Sequence, residues 1–252
     1  MKKLIFFDVD GVLVNSINEI LLTSWNEFNL WKQSLGLPFE PFATDMSAIP
    51  AEFISARTVY GKKSNKGYHR VAINPLILAG FSPDAISANL IHQLSEADPL
   101  QKQQTMRRLE VVRQKLLAST PIETLVSLYA DVDYDWLQQK IQQQELYLIT
   151  NNPFSVQGLI AHGIKINPCQ IRGPRGDTHH KSDHINEICQ QRKIPVENCL
   201  FVDDSPASLQ EVAQGTKLLS SRILQNSWGD KPSLDGFACL SWTKIMDTYH
   251  AI

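Results

Sequence analysis

The sequence predicts an α/β fold, a parallel sheet with helices on both faces, with a mostly helical domain inserted near its start. Three observations carry the prediction. A short apolar run, Leu4 to Phe7, ends in Asp8, Asp10 and Gly11. From Tyr134 onward, apolar runs of strand length alternate with helical patterns. Between residues 16 and 135 the apolar residues fall near helical spacing and no strand is legible. Residues 1–14 and 136–252 are therefore expected to form the α/β core, and residues 15–135 the insertion.

The first strand is the most informative element. A strand buried on both faces reads as a continuous apolar run, and an unpaired carboxylate is costly to bury. Two acids at the carboxyl end of such a run, followed by a glycine suited to a sharp turn, mark a site rather than core. Residues i and i+2 of an extended strand point the same way. Asp8 and Asp10 are thus expected to converge at the carboxyl edge of the sheet, where open α/β folds place their ligands.

In the insertion, Ile17, Ile20, Leu21, Trp25, Phe28 and Trp31 mark a helix over 16–35, with its aromatic residues as core. Residues 36–80 hold several prolines and a basic stretch with Arg57, Lys62, Lys63, Lys66, His69 and Arg70. That stretch reads as a solvated loop or as a contact for an anionic substrate. Ser82-Pro83 is expected to open a helix running to about Leu94, and two more helices are expected over 99–118 and from Pro121.

In the core, residues 136–144 read as a helix and 146–150 as a buried strand. Asn152-Pro153 opens a helix that ends near Gly163, and 164–171 contains another strand. Residues 182–192 read as a helix, and 199–202 as a strand ending in Asp203-Asp204. Ser205-Pro206 opens a helix that stops at Gly215, and 217–220 reads as a further strand. This alternation implies right-handed crossovers between parallel strands.

A chain of 252 residues that is 43% hydrophobic and 20% charged can bury a sizeable core. Its net charge of -2 gives no reason to expect nucleic-acid binding, so a phosphate must be held by a local site. Cys169, Cys189, Cys199 and Cys239 form no CxxC pair and read as buried reduced thiols. The N-terminal run, broken by its aspartates, lacks the pattern of a signal peptide, and no apolar run has the length of a membrane span. The expectation is a cytoplasmic protein without a membrane partner.

A parallel sheet brings all its strand carboxyl ends to one edge. Asp8, Asp10, Thr150, Asp203 and Asp204 are therefore expected to share one crevice, with Lys181 reaching in from the start of the following helix. Carboxylates gathered at one place repel each other. A divalent cation relieves that repulsion, and oxygen-only ligands favour Mg²⁺. A hydroxyl, a lysine and helix N-termini beside the metal are what a phosphate needs. A carboxylate can attack such a phosphorus and form an acyl-phosphate. His179, His180 and His184 read as a solvated helix start, because no further ligand is placed nearby.

Taken in order, Asp8-Val9-Asp10-Gly11-Val12, Thr150, Lys181 and Asp203-Asp204 resemble the four motifs of the haloacid dehalogenase-like (HAD) hydrolase superfamily. The resemblance implies a Rossmann-like core. The helical insertion directly after the first motif is similar to the C1-type cap of phosphoglycolate-phosphatase-like members. Carried over, the motifs imply that Asp8 is nucleophile and metal ligand, and that Asp10 is general acid/base and holds the metal through its carbonyl. They imply that Thr150 binds phosphoryl oxygens, that Lys181 holds Asp8 and the phosphate, and that Asp204, with Asp203, completes the metal shell. Adjacent strand residues point to opposite faces, so Asp204 is the expected direct ligand. Dehalogenases of the superfamily lack an acid at the position of Asp10, which argues against C–halogen cleavage.

The expected activity is a Mg²⁺-dependent phosphatase acting on a small phosphorylated metabolite through an aspartyl-phosphate. A phosphomutase on the same fold and a catalytically weak binding or regulatory protein are the alternatives. The sequence leaves the substrate and the oligomeric state open.

Overall fold

The computed structural model describes residues 2–63, 67–173, 180–229, 233 and 235–252. The chain divides into two compact units, Met1–Ser16 with Val126–Ile252, and Ile17–Leu125.

The first unit holds strands β1 (Leu4–Phe7), β2 (Val14–Asn15), β3 (Ser127–Leu128), β4 (Leu146–Ile149), β5 (Ile171–Arg172), β6 (Cys199–Asp203), β7 (Ile223–Asn226) and β8 (Ala238–Leu240). Six of them form a sheet in the order β5-β4-β1-β6-β7-β8, with every neighbouring pair parallel. β1 is central, with Ile5 opposite Leu146 on one side and Leu200 on the other. All four of its side chains are buried, as its unbroken apolar run requires, and each contributes about 1.5–3 kcal/mol on leaving water. Because the strands run one way, the residues that follow β1, β4, β6 and β7 emerge at one edge. β2 and β3 pair separately and antiparallel, Val14 opposite Leu128.

The second unit is helical: α1 (Ile17–Ser34), α2 (Ala51–Lys63), α3 (Gly67–Ala72), α4 (Asn74–Leu78), α5 (Ala88–Glu96), α6 (Pro99–Ser119) and α7 (Ile122–Leu125). Trp25 and Phe28 are buried and meet Phe53 of α2, at 4.8 and 5.4 Å between ring centroids. The buried face of α1 also carries two acids. Glu19 pairs with Arg113 at 2.8 Å and Glu27 with Arg108 at 3.1 Å, both arginines on α6. Glu27 also accepts from Asn74 Nδ2 at 2.8 Å, and Asn74 in turn accepts from the buried Arg57. Buried charges persist only when paired in this way.

Two expectations in this unit are corrected. The basic stretch is largely helical, in α2 and α3, and Arg57 is buried; Lys66 and the side chains of Lys62, Lys63 and Arg70 lie outside the described residues. The helix expected from Ser82 is a 3-10 turn, Pro83–Ala85, followed by α5. The cap is Ser87, whose Oγ accepts from the Leu90 N–H at 3.1 Å.

The first unit also carries α8 (Tyr134–Gln142), α9 (Pro153–Ala161), α10 (Lys181–Arg192), α11 (Pro206–Gly215) and α12 (Trp242–His250). Ile185 and Ile188 of α10 and Leu209 and Val212 of α11 pack with Leu4, Phe6, Tyr147 and Phe201 on one face of the sheet. On the other face, Phe7 stacks on Trp242 of α12 at 5.5 Å, and Trp242 meets Trp136 of α8 edge-on at 5.6 Å. Of the cysteines expected to be buried, Cys189 and Cys199 are, whereas Cys169 and Cys239 are exposed. The strand expected at 217–220 is displaced. Ser220–Arg222 is a 3-10 turn and the strand is β7. The polar end of β7 is buried because Gln225 Nε2 donates to the Asp204 carbonyl at 3.1 Å and Asn226 Nδ2 to the Gly11 carbonyl at 3.0 Å. Among the described residues no helix is long and apolar enough to cross a membrane.

Candidate active site

β1 delivers Asp8 directly, and its N–H continues the ladder to the Val202 carbonyl at 2.9 Å. The chain then turns sharply. Gly11 has φ +81°, and the N–H groups of Leu13 and Val14 both return to the Val9 carbonyl. A Cβ at Gly11 would overlap the Asp204 carboxylate, so glycine is required there both by the left-handed backbone and by the close approach. Asn226 fixes the loop through the Gly11 carbonyl, and Trp228 Nε1 donates to the Val12 carbonyl at 2.8 Å.

Asp8, Asp203 and Asp204 are all buried, and one carboxylate oxygen from each lies within 4.8 Å of the others. Lys181, the first residue of α10, is also buried, with its Nζ 2.8 Å from Asp8 Oδ1 and 2.7 Å from Asp203 Oδ2. Asp203 Oδ1 accepts from the Ser205 N–H at 2.8 Å. Asp203 is therefore tied to Lys181 and to the start of α11, while Asp204 faces the Gly11 turn.

Asp10 is not in that carboxylate cluster. It is half-buried, and its Oδ1 accepts from Ser16 Oγ at 2.5 Å. Thr150 is buried at the carboxyl end of β4, beside β1. Its Oγ1 accepts from the Asn152 N–H at 3.0 Å, which shapes the turn into α9. Asn152 caps that helix, its Oδ1 accepting from the Phe154 N–H at 3.2 Å. The N-termini of α9, α10 and α11 all follow strands of the same carboxyl edge, a placement that favours anions.

Burial pushes the Asp8 carboxyl up to about 7, with the Asp203 charge acting the same way and the Lys181 charge opposing both. Burial pulls the Lys181 ammonium down, but the Asp203 and Asp8 carboxylates more than offset it, so the lysine lies above its ordinary value and stays charged. Three carboxylates thus gather at one place, and the Lys181 ammonium touches two of them. Such an all-oxygen donor set fits a hard divalent cation of the Mg²⁺ type.

The histidines near α10 do not converge. His180 is exposed, with Nδ1 3.6 Å from Glu211 Oε2, while buried His184 sits 3.0 Å from the Gly173 carbonyl. His179 lies outside the described residues. Four residues that shape the site were missed in the sequence: Ser16, Gln225, Asn226 and Trp228. Ser16 is close enough in sequence to the acid pair to have been considered. The other three lie more than twenty residues past Asp203-Asp204, Gln225 and Asn226 at the polar end of β7 and Trp228 in the turn after it, where no periodic signal marks them.

The haloacid dehalogenase-like hydrolase family model matches residues 2–214. No curated protein matches the chain. Among solved structures, the chain is similar to a candidate phosphoglycolate phosphatase from Lactobacillus delbrueckii subsp. bulgaricus, with TM-score 0.62, 16% identity and 98% of each chain covered. A second such candidate, from Haemophilus somnus, gives 0.56 at 16% identity, covering 97% of this chain and 96% of that one. A HAD-superfamily hydrolase of subfamily IA, variant 1, from Geobacter sulfurreducens gives 0.54 at 12% identity, with 98% and 96% covered. At such identities these neighbours show a common fold. With the family match over most of its length, the chain belongs to the haloacid dehalogenase-like hydrolases and is an enzyme of that class.

Proposed function

We propose that this hydrolase is a Mg²⁺-dependent phosphatase that removes the phosphoryl group from a small phosphate monoester by way of an aspartyl-phosphate at Asp8. The observation that carries this reading is the gathering of the Asp8, Asp203 and Asp204 carboxylates at the carboxyl edge of the sheet, with Lys181 paired to Asp8 and Asp203. The two candidate phosphoglycolate phosphatases among the structural neighbours support the same reaction class. In this reading Asp8, Asp204 and the Asp10 carbonyl hold the metal. When bound, Mg²⁺ would neutralise phosphoryl charge and relieve its repulsion from the nucleophile.

The chain's own groups supply the remaining steps. An Asp8 carboxylate oxygen forms a bond to phosphorus as the ester oxygen leaves. Asp10, held by Ser16, protonates the departing alkoxide and in the second step takes a proton from the water that attacks the acyl-phosphate. Lys181 keeps Asp8 oriented and offers positive charge to the phosphoryl oxygens. Thr150 and the amides at the start of α9 complete the oxyanion contacts. The helical unit is the C1-type cap of this reading and selects the substrate.

The test is phosphate release from a panel of monoesters that includes 2-phosphoglycolate and hexose phosphates, with Mg²⁺ or with EDTA. Release that needs Mg²⁺ and is abolished in Asp8→Asn supports the reading. Equal release by that variant removes the proposed nucleophile, and transfer to a sugar without free phosphate identifies a mutase instead.

A further inference from the structure

We propose that the helical unit carries a second metal site, for a borderline divalent cation of the Zn²⁺ type, formed by His69, His92 and Glu96. One ligand atom from each of these side chains lies within 4.8 Å of the others. His92 and Glu96 stand four residues apart on α5 and so share one helix face. His69 comes from α3, which packs against α5. Its Nε2 is 4.0 Å from Glu96 Oε1, and its ring meets that of His92 edge-on at 6.0 Å between centroids.

The chemistry of the donors selects the ion. Two imidazoles and one carboxylate suit Zn²⁺, whereas Mg²⁺ prefers oxygen alone. Zinc bonds of about 2.0–2.2 Å to nitrogen and oxygen bring tetrahedral ligands closer together than the 4.0 Å between His69 Nε2 and Glu96 Oε1. His92 and Glu96 are exposed, so their side chains can rotate toward a bound ion. Three protein ligands leave the fourth position to water.

Glu96 already pairs with Lys102, whose Nζ is 3.0 Å from Oε2 and 3.3 Å from Oε1. The carboxylate can divide its oxygens, Oε1 to the metal beside His69 and Oε2 to Lys102. Lys102 then acts as the outer partner that orients a ligating carboxylate. The ion would tie α3 to α5 and stabilise the helical unit, because it binds the folded arrangement and not the unfolded chain.

The acidic cluster around Asp8 would also take zinc, so the experiment is done in the Asp8→Asn, Asp204→Asn double variant. Calorimetric titration with ZnCl₂ is expected to show one equivalent bound. Adding His92→Ala, or separately Glu96→Gln, is expected to weaken that binding at least tenfold. Both side chains are exposed, so the metal-free melting temperature should stay within a few degrees. Zinc should raise the melting temperature of the parent and not of the two further variants. Co²⁺ in place of Zn²⁺ should give tetrahedral visible bands that disappear in His92→Ala. Absence of a bound equivalent in the double variant, or binding unchanged by both His92→Ala and Glu96→Gln, overturns the proposal.

Discussion

Lys181 Nζ lies 2.8 Å from Asp8 Oδ1 inside the protein, with both groups buried. The same ammonium touches Asp203 at 2.7 Å, so one cation serves two carboxylates that come from different strands. Removing one member of a buried pair strands the other, at about 3–5 kcal/mol. Lys181→Met is therefore expected to lower unfolding free energy by about that amount in EDTA. Mg²⁺ should recover part of the loss, because in the proposed function it supplies positive charge to Asp8. Chemical denaturation with and without Mg²⁺ measures both effects; an unchanged midpoint in EDTA would show that the pair contributes nothing.

The Asp8 carboxyl predicts a pH dependence of definite sign. Burial raises it from an ordinary 3.8 to about 7. A carboxyl raised in the folded state stabilises that state while it is protonated. That contribution is complete below the ordinary value and is lost as pH rises through about 7. Metal-free protein should thus lose stability between pH 4 and 8 more steeply than Asp8→Asn. Stabilisation by added Mg²⁺ should grow over the same range, since the ion competes with the proton for Asp8. Melting curves of the two proteins across that range check the difference; parallel curves would contradict it.

Gly11 combines a φ of +81° with close contact to the Asp204 carboxylate. Placing a side chain on left-handed backbone costs about 1–2 kcal/mol by itself. Gly11→Ala should exceed that cost because the Asp204 carboxylate must also move, and Mg²⁺ affinity should fall with it. Calorimetric Mg²⁺ titration of the folded variant provides the check; wild-type affinity would mean that Asp204 is not a ligand.

Ser16 Oγ donates to Asp10 Oδ1 at 2.5 Å. The bond fixes the rotamer of the proposed general acid/base. Positioned acid–base groups contribute about 10²–10⁴-fold to rate, and a misaligned one keeps only part of that. Ser16→Ala should lower kcat about tenfold with KM little changed. A change in KM alone would assign Ser16 to substrate binding.

Much of the first unit was readable because its strands are buried on both faces and announce themselves as apolar runs. Leu4–Phe7, Leu146–Ile149 and Cys199–Asp203 all lie within a residue of the expected spans. The acids at their ends stood out because carboxylates at the end of such runs violate core patterning. β7 was placed too early because half of it is polar. Gln225 and Asn226 are buried through bonds to the carbonyls of Asp204 and Gly11, a long-range arrangement that no local pattern records. The short pair β2–β3 joins residues more than a hundred positions apart and was missed for the same reason. In the helical unit, Glu19 and Glu27 sit on the buried side of α1, opposite to what their polarity suggests, because Arg113 and Arg108 meet them from α6.

The central claim is that Asp8 itself takes the phosphoryl group. Rapid acid quench during turnover of a ³²P-labelled monoester, followed by peptide mapping, tests it most directly. The account predicts transient label on the peptide containing Asp8, dependent on Mg²⁺ and absent from Asp8→Asn. Turnover with no covalent label, or label on another residue, would contradict it.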